Sequence, residues 1–196
     1  MTNNLFKNKY RIPSTRLKEW DYSRNGYYFV TMCVKNRESV FGQFEHGEMI
    51  LSDMGNIAEQ CWREIPVHFP FVKLDEFVIM PNHVHGIIII DNNVVETQNL
   101  ASLHASLPRH SFSRHRKPNK FGPQSKNLAS IIRGFKIGVK KWATINHIHL
   151  EWQSRFYDRI IRDEKELLNI RNYIIINPIR WDDDKENPDM KNKVIN

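Results

Sequence analysis

Two histidines are separated by a single residue in the stretch MPNHVH at 80–85. On a β-strand, residues two apart point to the same face, so the imidazoles of His83 and His85 would project together. Two imidazoles on one rigid surface supply most of a divalent-metal site. The alternative is that one imidazole packs in the core while the other caps a neighbouring carbonyl group. A motif this short does not decide between the two in a chain with nine histidines.

A tyrosine and an asparagine lie four residues apart in the stretch RNYIIINP at 171–178. On a helix such residues share a face, so the phenol of Tyr173 and the carboxamide of Asn177 would point together one turn apart. The carboxamide oxygen can supply a third metal ligand, and a phenolate is an oxygen nucleophile. The alternative is that Tyr173 is an aromatic residue at the core boundary and that Asn177 ends a helix before Pro178.

Charge is segregated along the chain. Residues 97–150 contain no Asp or Glu, although 26% of the whole chain is charged. An exposed face usually mixes both signs, so this stretch predicts a surface that follows DNA phosphates and binds less tightly as salt is added. The predicted DNA-binding cations are Arg109, Arg114, Arg116, Lys117, Lys120, Lys126, Arg133, Lys136, Lys140 and Lys141.

These three features together meet the demands of phosphodiester cleavage. The reaction needs charge neutralised at the non-bridging oxygens, which Mg²⁺ or Mn²⁺ held by histidines supplies. It also needs a nucleophile, and a tyrosine beside a metal ion can lose its proton below its usual pKa of about 10. A set of nitrogen and oxygen ligands without thiolate suits such a hard, openly coordinated ion better than structural zinc.

The elements that must position these residues follow from the hydropathy pattern. Strands are expected at 27–34, 71–80, 83–90, 147–152 and 156–161. Helices are expected over 56–64, from 125 onward, and from a cap at Asp163 to about Asn177. A hairpin is expected at 40–51, and residues 91–124 are interpreted as a basic insertion or long loop.

The order strand, helix, strand, strand, helix, strand predicts a ferredoxin-like split βαβ sandwich of the α+β class. The sheet should be mostly antiparallel with helices on one face, and an appended C-terminal helix should carry Tyr173. We expect an N-terminal arm at 1–26, one domain at 27–181 that includes the insertion, and a frayed, charged tail at 182–196. The fold hosts many activities and does not by itself decide the function.

Length and composition limit the class of protein. A chain of 196 residues with 40% hydrophobic content is long enough for one well-packed domain, and a net charge of +7 favours a polyanionic partner. Two cysteines outside any CxxC motif fit a reducing compartment. The longest aliphatic run, 87–90, is far shorter than the ~20 residues that span a bilayer. No signal peptide begins the chain, so we expect a cytoplasmic protein with no membrane partner.

Three motifs in this order resemble the REP-associated tyrosine transposases, which belong to the HUH superfamily of single-strand endonucleases. The motifs are MPNHVH at 80–85, WQSRFYD at 152–158 and NYIIINP at 172–178. The resemblance covers about 27–181 and implies a ferredoxin-like fold and dependence on Mg²⁺ or Mn²⁺. His83 and His85 match the metal-binding pair, Tyr173 matches the nucleophile, and Asn177 matches the third metal ligand. The insertion at 91–124 and the arm at 1–26 are additions to the shortest members.

The resemblance implies transesterification on single-stranded DNA that carries a hairpin, such as a palindromic repeat. The tyrosine would attack a phosphorus to leave a 5′-phosphotyrosine and a free 3′-OH, and a second 3′-OH could reverse the step without ATP. It also implies a bacterial, nucleoid-associated protein, and the sequence leaves monomer and homodimer open. Tyr157 ranks below Tyr173 as nucleophile because it lacks a polar partner one turn away.

Two other functions stay open at this point. One is a non-catalytic, ferredoxin-like nucleic-acid-binding regulator that recognises DNA hairpins. The other is a hydrolytic metal enzyme in which water attacks and Tyr173 is structural. A binding module has no need of both histidines, the tyrosine and the asparagine together, whereas a covalent adduct between protein and DNA would separate the transposase from the hydrolase.

Overall fold

The computed structural model describes residues 16–17, 19–45, 48–93 and 126–188, and these contain six strands and four α-helices. In chain order they are β1 (Gly26–Cys33), β2 (Gly42–Glu45), β3 (Glu48–Leu51), α1 (Asp53–Arg63), α2 (Ile65–His68), β4 (Val72–Met80), β5 (His83–Ile90), α3 (Leu128–Ile145), β6 (Tyr157–Ile161) and α4 (Glu164–Ile176). Short 3-10 helices lie at Lys35–Arg37 and Pro178–Asp183.

Four of the strands form a single antiparallel sheet in the order β4-β5-β1-β6. Helix α1 lies on the connection from β1 to β4, and α3 lies on the connection from β5 to β6. The predicted ferredoxin-like α+β architecture is therefore confirmed. The predicted hairpin is also present, because β2 and β3 pair as a separate two-stranded sheet.

One face of the main sheet carries the larger hydrophobic core. Alternate residues of β1, such as Tyr28 and Val30, point to this face and are fully buried against α1 and α3. Both helices begin at a capped residue: Ser52 accepts a hydrogen bond from the Gly55 amide, and Asn127 forms a capping box with Ser130. These caps fix where each helix starts and so which apolar stripe it turns toward the sheet.

The opposite face of the sheet is covered by α4. A smaller hydrophobic cluster joins Phe29, Ile87 and Ile161 of the sheet to Leu167 and Ile174 of the helix. As predicted, Asp163 caps α4, since its side chain accepts a hydrogen bond from the Glu166 amide. The residues with potential for chemistry lie on this face.

Two expectations about local structure are wrong. The strand expected at 147–152 is reduced to an isolated antiparallel bridge between Val34 and Trp152. The chain from Asp182 was expected to be frayed, but it stays packed as far as the described residues go: Asn187 is buried and its side-chain amide donates to the Trp181 carbonyl at 2.9 Å. Most of the insertion, from residue 94 onward, and most of the N-terminal arm lie outside the described residues.

No helix in the described part of the chain combines the length and the apolar character that crossing a membrane requires.

Candidate metal and tyrosine site

The alternation of β5 places both histidines on the sheet face that α4 covers. Val84, between them, points to the opposite core and is fully buried, while His83 and His85 are 0% and 4% exposed. Their Nε2 atoms lie 3.0 Å apart. The two imidazoles therefore present their outer nitrogens to a common point, as the spacing of the motif predicts.

The inner nitrogens of the two rings are held by polar side chains. Asn82 uses its Nδ2 to donate to two backbone carbonyls, those of Arg37 at 3.1 Å and Glu186 at 2.7 Å. Its Oδ1, 2.8 Å from Nδ1 of His83, can only accept, so the proton of that ring lies on Nδ1 and Nε2 presents a lone pair. Thr31 Oγ1 lies 2.8 Å from Nδ1 of His85 and can accept that ring's proton in the same way.

Burial keeps both imidazoles neutral. It lowers the pKa of His83 to about 3, with the charge of Arg37 acting in the same direction. Burial also lowers the pKa of His85 well below its usual value, and the neighbouring His83 adds to this shift. Neutral imidazole is the form that binds a metal ion, so no proton has to be displaced from either Nε2 near neutral pH.

Tyr173 is brought to the histidines by α4. Its Oη lies 3.2 Å from Nε2 of His85, and its ring packs edge-on against Phe29 with centroids 6.0 Å apart. The residue is 42% exposed and lines a pocket, so it is accessible to a ligand in that pocket. Burial raises the pKa of Tyr173 and the Asp184 carboxylate raises it further, while the nearby Asn177 carboxamide acts in the opposite direction.

Asn177 lies one helical turn after the tyrosine and is 3% exposed. Its Oδ1 is buried and has no hydrogen-bond partner within the described residues. Leaving a buried acceptor unpaired costs about 1–3 kcal/mol, which native proteins seldom tolerate without reason. Asn177 lines the same pocket as His85. An unpaired oxygen of this kind fits a divalent cation, because the cation would supply the partner that Oδ1 lacks.

Asp184 is a candidate ligand that the sequence analysis missed. Its Oδ2 lies 4.0 Å from Nε2 of His83, and one ligand atom from each of His83, His85 and Asp184 falls within 4.8 Å of the others. The chain reaches this point through the 3-10 helix after α4. In this helix Trp181 packs against the His83 ring, with ring centroids 6.1 Å apart. Three consecutive aspartates stand at 182–184, and no spacing in the sequence marks one of them as buried.

The register of the sheet separates the two tyrosines. Tyr157 on β6 is paired with Thr31 on β1, and Thr31 is paired with His85 on β5. Tyr157 therefore stands two strands from His85, or about 10 Å at the usual spacing between strands. Both tyrosines line one pocket of about 920 Å³, but Tyr173 is the one whose hydroxyl touches the histidine pair.

The predicted DNA-binding cations are only partly described. Arg109, Arg114, Arg116, Lys117 and Lys120 lie outside the described residues. The others lie on α3 or just before it, and none of these five lines the pocket in front of Tyr173. That pocket instead contains both signs of charge: Arg155, Arg180, Lys185, Asp183, Asp184 and Glu186.

Comparison with known proteins finds relatives in sequence and in structure, although no protein-family model matches the chain. An uncharacterized protein of Haemophilus influenzae is 45% identical over 175 residues, which cover 88% of this chain and 91% of that protein. A second H. influenzae protein, provisionally described as a REP-associated tyrosine transposase, is 26% identical over 160 residues, or 82% of this chain and 74% of that protein.

A solved structure, that of a REP-associated tyrosine transposase bound to a REP hairpin, superposes with a TM-score of 0.53. The two are 18% identical, and the match covers 88% of this chain and 73% of that chain. At this level of identity the superposition demonstrates a shared fold.

Proposed function

We propose a function from the premise that this chain belongs to the same family as its 45% identical H. influenzae relative and is related in sequence and fold to the REP-associated tyrosine transposases. In this proposal it is a metal-dependent endonuclease and strand transferase that cuts and rejoins single-stranded DNA at hairpin sites. The observation that carries the proposal is the contact of Tyr173 with the histidine pair. Tyr173 Oη lies 3.2 Å from His85 Nε2, and His85 Nε2 lies 3.0 Å from His83 Nε2.

The ion would be held by His83 and His85, with Asn177 and Asp184 as the candidate oxygen ligands. Mg²⁺ or Mn²⁺ suits this mixed nitrogen and oxygen set, in which no thiolate takes part. When bound, such an ion supplies positive charge to the non-bridging oxygens of the phosphate that is attacked. Asn82 and Thr31 support the site by holding the rings in the orientation that ligation needs.

Tyr173 is the nucleophile in this proposal. Its oxygen attacks the phosphorus, the bond between phosphorus and the 3′ oxygen breaks, and the DNA 5′ phosphate becomes joined to Oη. The phenol gives up its proton, and the leaving 3′ oxygen takes one up to become a free 3′-OH. Attack of a 3′-OH on the phosphotyrosine reverses these bond changes, so strands can be rejoined without ATP. The Asn177 carboxamide favours the phenolate, because it opposes the rise in the pKa of Tyr173 that burial and Asp184 cause.

The substrate proposed is DNA with an unpaired segment beside a hairpin. The support for this is the related solved structure, whose transposase is bound to a REP hairpin, together with the acid-free basic stretch at 97–150. An unpaired segment can enter the pocket in front of Tyr173, where cationic side chains such as Arg180 can meet its phosphates.

Tyr173→Phe removes one oxygen and should abolish formation of the covalent adduct, while DNA binding should stay within about twofold because base and phosphate contacts are unchanged. The measurement is incubation with Mn²⁺ and labelled hairpin DNA from repeats flanking the protein's own gene, resolved on denaturing and native gels. Tyr157→Phe is the matched control and should form the adduct normally.

Other outcomes would assign a different function. Cleavage that persists in Tyr173→Phe would contradict the nucleophile assignment. Cut DNA without an adduct in the wild-type protein would indicate a hydrolase in which water attacks. Retarded but uncut DNA, with several metals and hairpins tested, would indicate the hairpin-binding regulator.

A further inference from the structure

A second pocket, of about 580 Å³, lies beside α3 and away from the histidines. Its volume falls within the range of about 300–1,000 Å³ that is usual for ligand sites. Arg155 and Phe156 line both this pocket and the one in front of Tyr173, so the two are joined around the end of β6. A DNA strand that leaves Tyr173 toward Arg155 and Phe156 would enter this second pocket.

The second pocket is strongly basic. Among the described residues that line it there is no Asp or Glu, and five carry a positive charge: Arg16, Arg133, Lys136, Lys140 and Arg155. A pocket lined by positive charges, with no acidic residue among its described lining residues, concentrates anions.

The five cations are not equally available to a ligand. Lys136 donates through Nζ to two backbone carbonyls, those of Gln153 at 2.8 Å and Arg155 at 3.1 Å. Arg16 pairs with Asp158 at 3.3 Å. Arg133 is exposed on α3 and makes no ion pair or hydrogen bond with any other described residue through its side chain. Lys140 donates through Nζ to the Leu150 carbonyl, and Arg155 also has an interaction partner. Arg133 is therefore the cation of this pocket best able to bind a phosphate.

The same pocket has an apolar wall. Ile137, one turn after Arg133, is 58% exposed, and Trp152 and Phe156 also line the pocket. The guanidinium carbon of Arg16 lies 4.5 Å from the centre of the Phe156 ring, so a flat cation is already stacked there. Nucleobases stack on aromatic rings and on guanidinium planes, whereas inorganic anions gain nothing from such a wall.

We infer that this pocket binds one unpaired nucleotide of the DNA strand, with its phosphate at Arg133 and its base against Ile137 and the Arg16 guanidinium that lies over Phe156. The inference rests on the proposed function only for the identity of the ligand as DNA. The pocket itself is outside the metal and tyrosine site. It would hold the strand at a fixed distance from Tyr173 and so help to choose which phosphate is attacked.

The first test compares two charge reversals on α3, measured by fluorescence anisotropy of the full chain with labelled oligothymidylate. Arg133→Glu should weaken binding on the order of tenfold. Lys141→Glu, the same change at an exposed residue of α3 that does not line the pocket, should cost about twofold, and that loss should vanish at high salt. Equal losses would show a diffuse basic surface and would overturn the inference.

The second test separates a nucleotide from a phosphate alone. Ile137→Ser should weaken binding about threefold at every salt concentration, because it removes apolar contact and no charge. Ile145→Ser is the matched control, since Ile145 is 65% exposed on the same helix and lies outside the pocket, and it should bind normally. No difference between these variants would overturn the base-binding part of the inference.

The source of the nucleotide and the link to catalysis are tested in the same samples. Free thymidine monophosphate should displace the oligonucleotide only at concentrations far above that of the DNA; displacement at equal concentrations would overturn the assignment to a DNA strand. Adduct formation is measured in parallel. If the paired variants differ but wild-type protein forms no adduct, the pocket stands and the nuclease proposal fails. If the adduct forms but the variants bind alike, only the pocket fails.

Discussion

At the scale of single residues, Asn177 shows most clearly how the site is arranged for a ligand. Its oxygen is buried and unpaired within the described residues, although the helix end it occupies could have been closed by a glycine or a water-exposed side chain. The protein thus accepts a cost in stability at this position. Functional sites are where such costs are expected, because the unpaired group is kept for a ligand.

Replacing Asn177 should therefore weaken metal binding without lowering the stability of the metal-free protein. Asn177→Leu removes the unpaired oxygen at similar volume, so the free energy of unfolding of the metal-free protein should stay equal or rise by about 1 kcal/mol. The stabilisation of the wild-type protein by Mn²⁺, about 2.7 kcal/mol at a hundredfold excess over Kd, should be largely lost. Chemical denaturation with and without Mn²⁺ measures both. A variant that Mn²⁺ stabilises as much as wild type would exclude Asn177 as a ligand.

The pKa of Tyr173 also depends on the groups around its hydroxyl. Burial and the Asp184 carboxylate raise the pKa of Tyr173, so the protein side chains as a whole hold the phenol protonated. A divalent cation held by the histidines would act in the opposite direction, because positive charge favours the phenolate. The sequence-based expectation of a lowered pKa therefore applies to the metal-bound protein.

At the scale of elements, the contact between α1 and β5 sets the position of the histidine strand. Gly86 follows directly on the motif and faces the core, where a Cβ at this position would lie 2.3 Å from the Trp62 ring. Trp62 is fully buried and stacks on Phe77 of the neighbouring strand, with ring centroids 5.8 Å apart. The missing side chain lets the indole lie flat on the sheet behind the two histidines.

Gly86→Ala should consequently destabilise the fold by about 1–3 kcal/mol, because the added methyl group forces Trp62 to move within a packed core. Gly26→Ala is the control: it is also a glycine of the main sheet, but its Cβ would meet neighbours at 3.7 Å, an ordinary contact distance. Urea unfolding of both variants measures the difference. Equal stabilities would mean that Trp62 does not pack against β5 as described.

At the scale of the whole molecule, the two faces of the sheet have different roles. The face under α1 and α3 carries the larger core, and the face under α4 carries the histidines and Tyr173. The described part of the basic stretch lies on or beside α3, whereas the pocket before Tyr173 contains both signs of charge. We therefore expect DNA affinity to depend chiefly on residues remote from the metal ligands, so that binding and cleavage can be changed separately.

The cations of the insertion provide a test of this division. Changing Arg114, Arg116 and Lys117 together to glutamine should reduce the salt dependence of DNA binding, by about 0.7 in the log–log slope for each cation that meets a single-strand phosphate. Adduct formation at saturating DNA should be unchanged. Anisotropy titrations across a salt series measure the slope, with Lys73→Gln as a control because Lys73 is paired with Asp91. An unaltered slope would place the DNA surface elsewhere.

Much of the fold could be predicted because its signals are local. The alternation of β1 and β5, the cap at Asp163, and the break at Pro178 depend on residues within one strand or one helical turn of each other. The prediction for 147–152 was wrong because its alternation resembles that of a strand, whereas the segment makes one isolated bridge, from Trp152 to Val34 just after β1. Pairing is decided by the neighbouring strand and not by the segment itself.

The sequence by itself determined which side chains share a face: His83 with His85 through the two-residue period of a strand, and Tyr173 with Asn177 through the turn of a helix. Only the tertiary structure decided which other residues these two faces contact. Thr31 behind His85, the contact of Tyr173 Oη with His85, and the approach of Asp184 to His83 all join segments far apart in the chain. Such contacts follow from strand register and helix packing, which depend on the whole core and leave no periodic mark in the sequence.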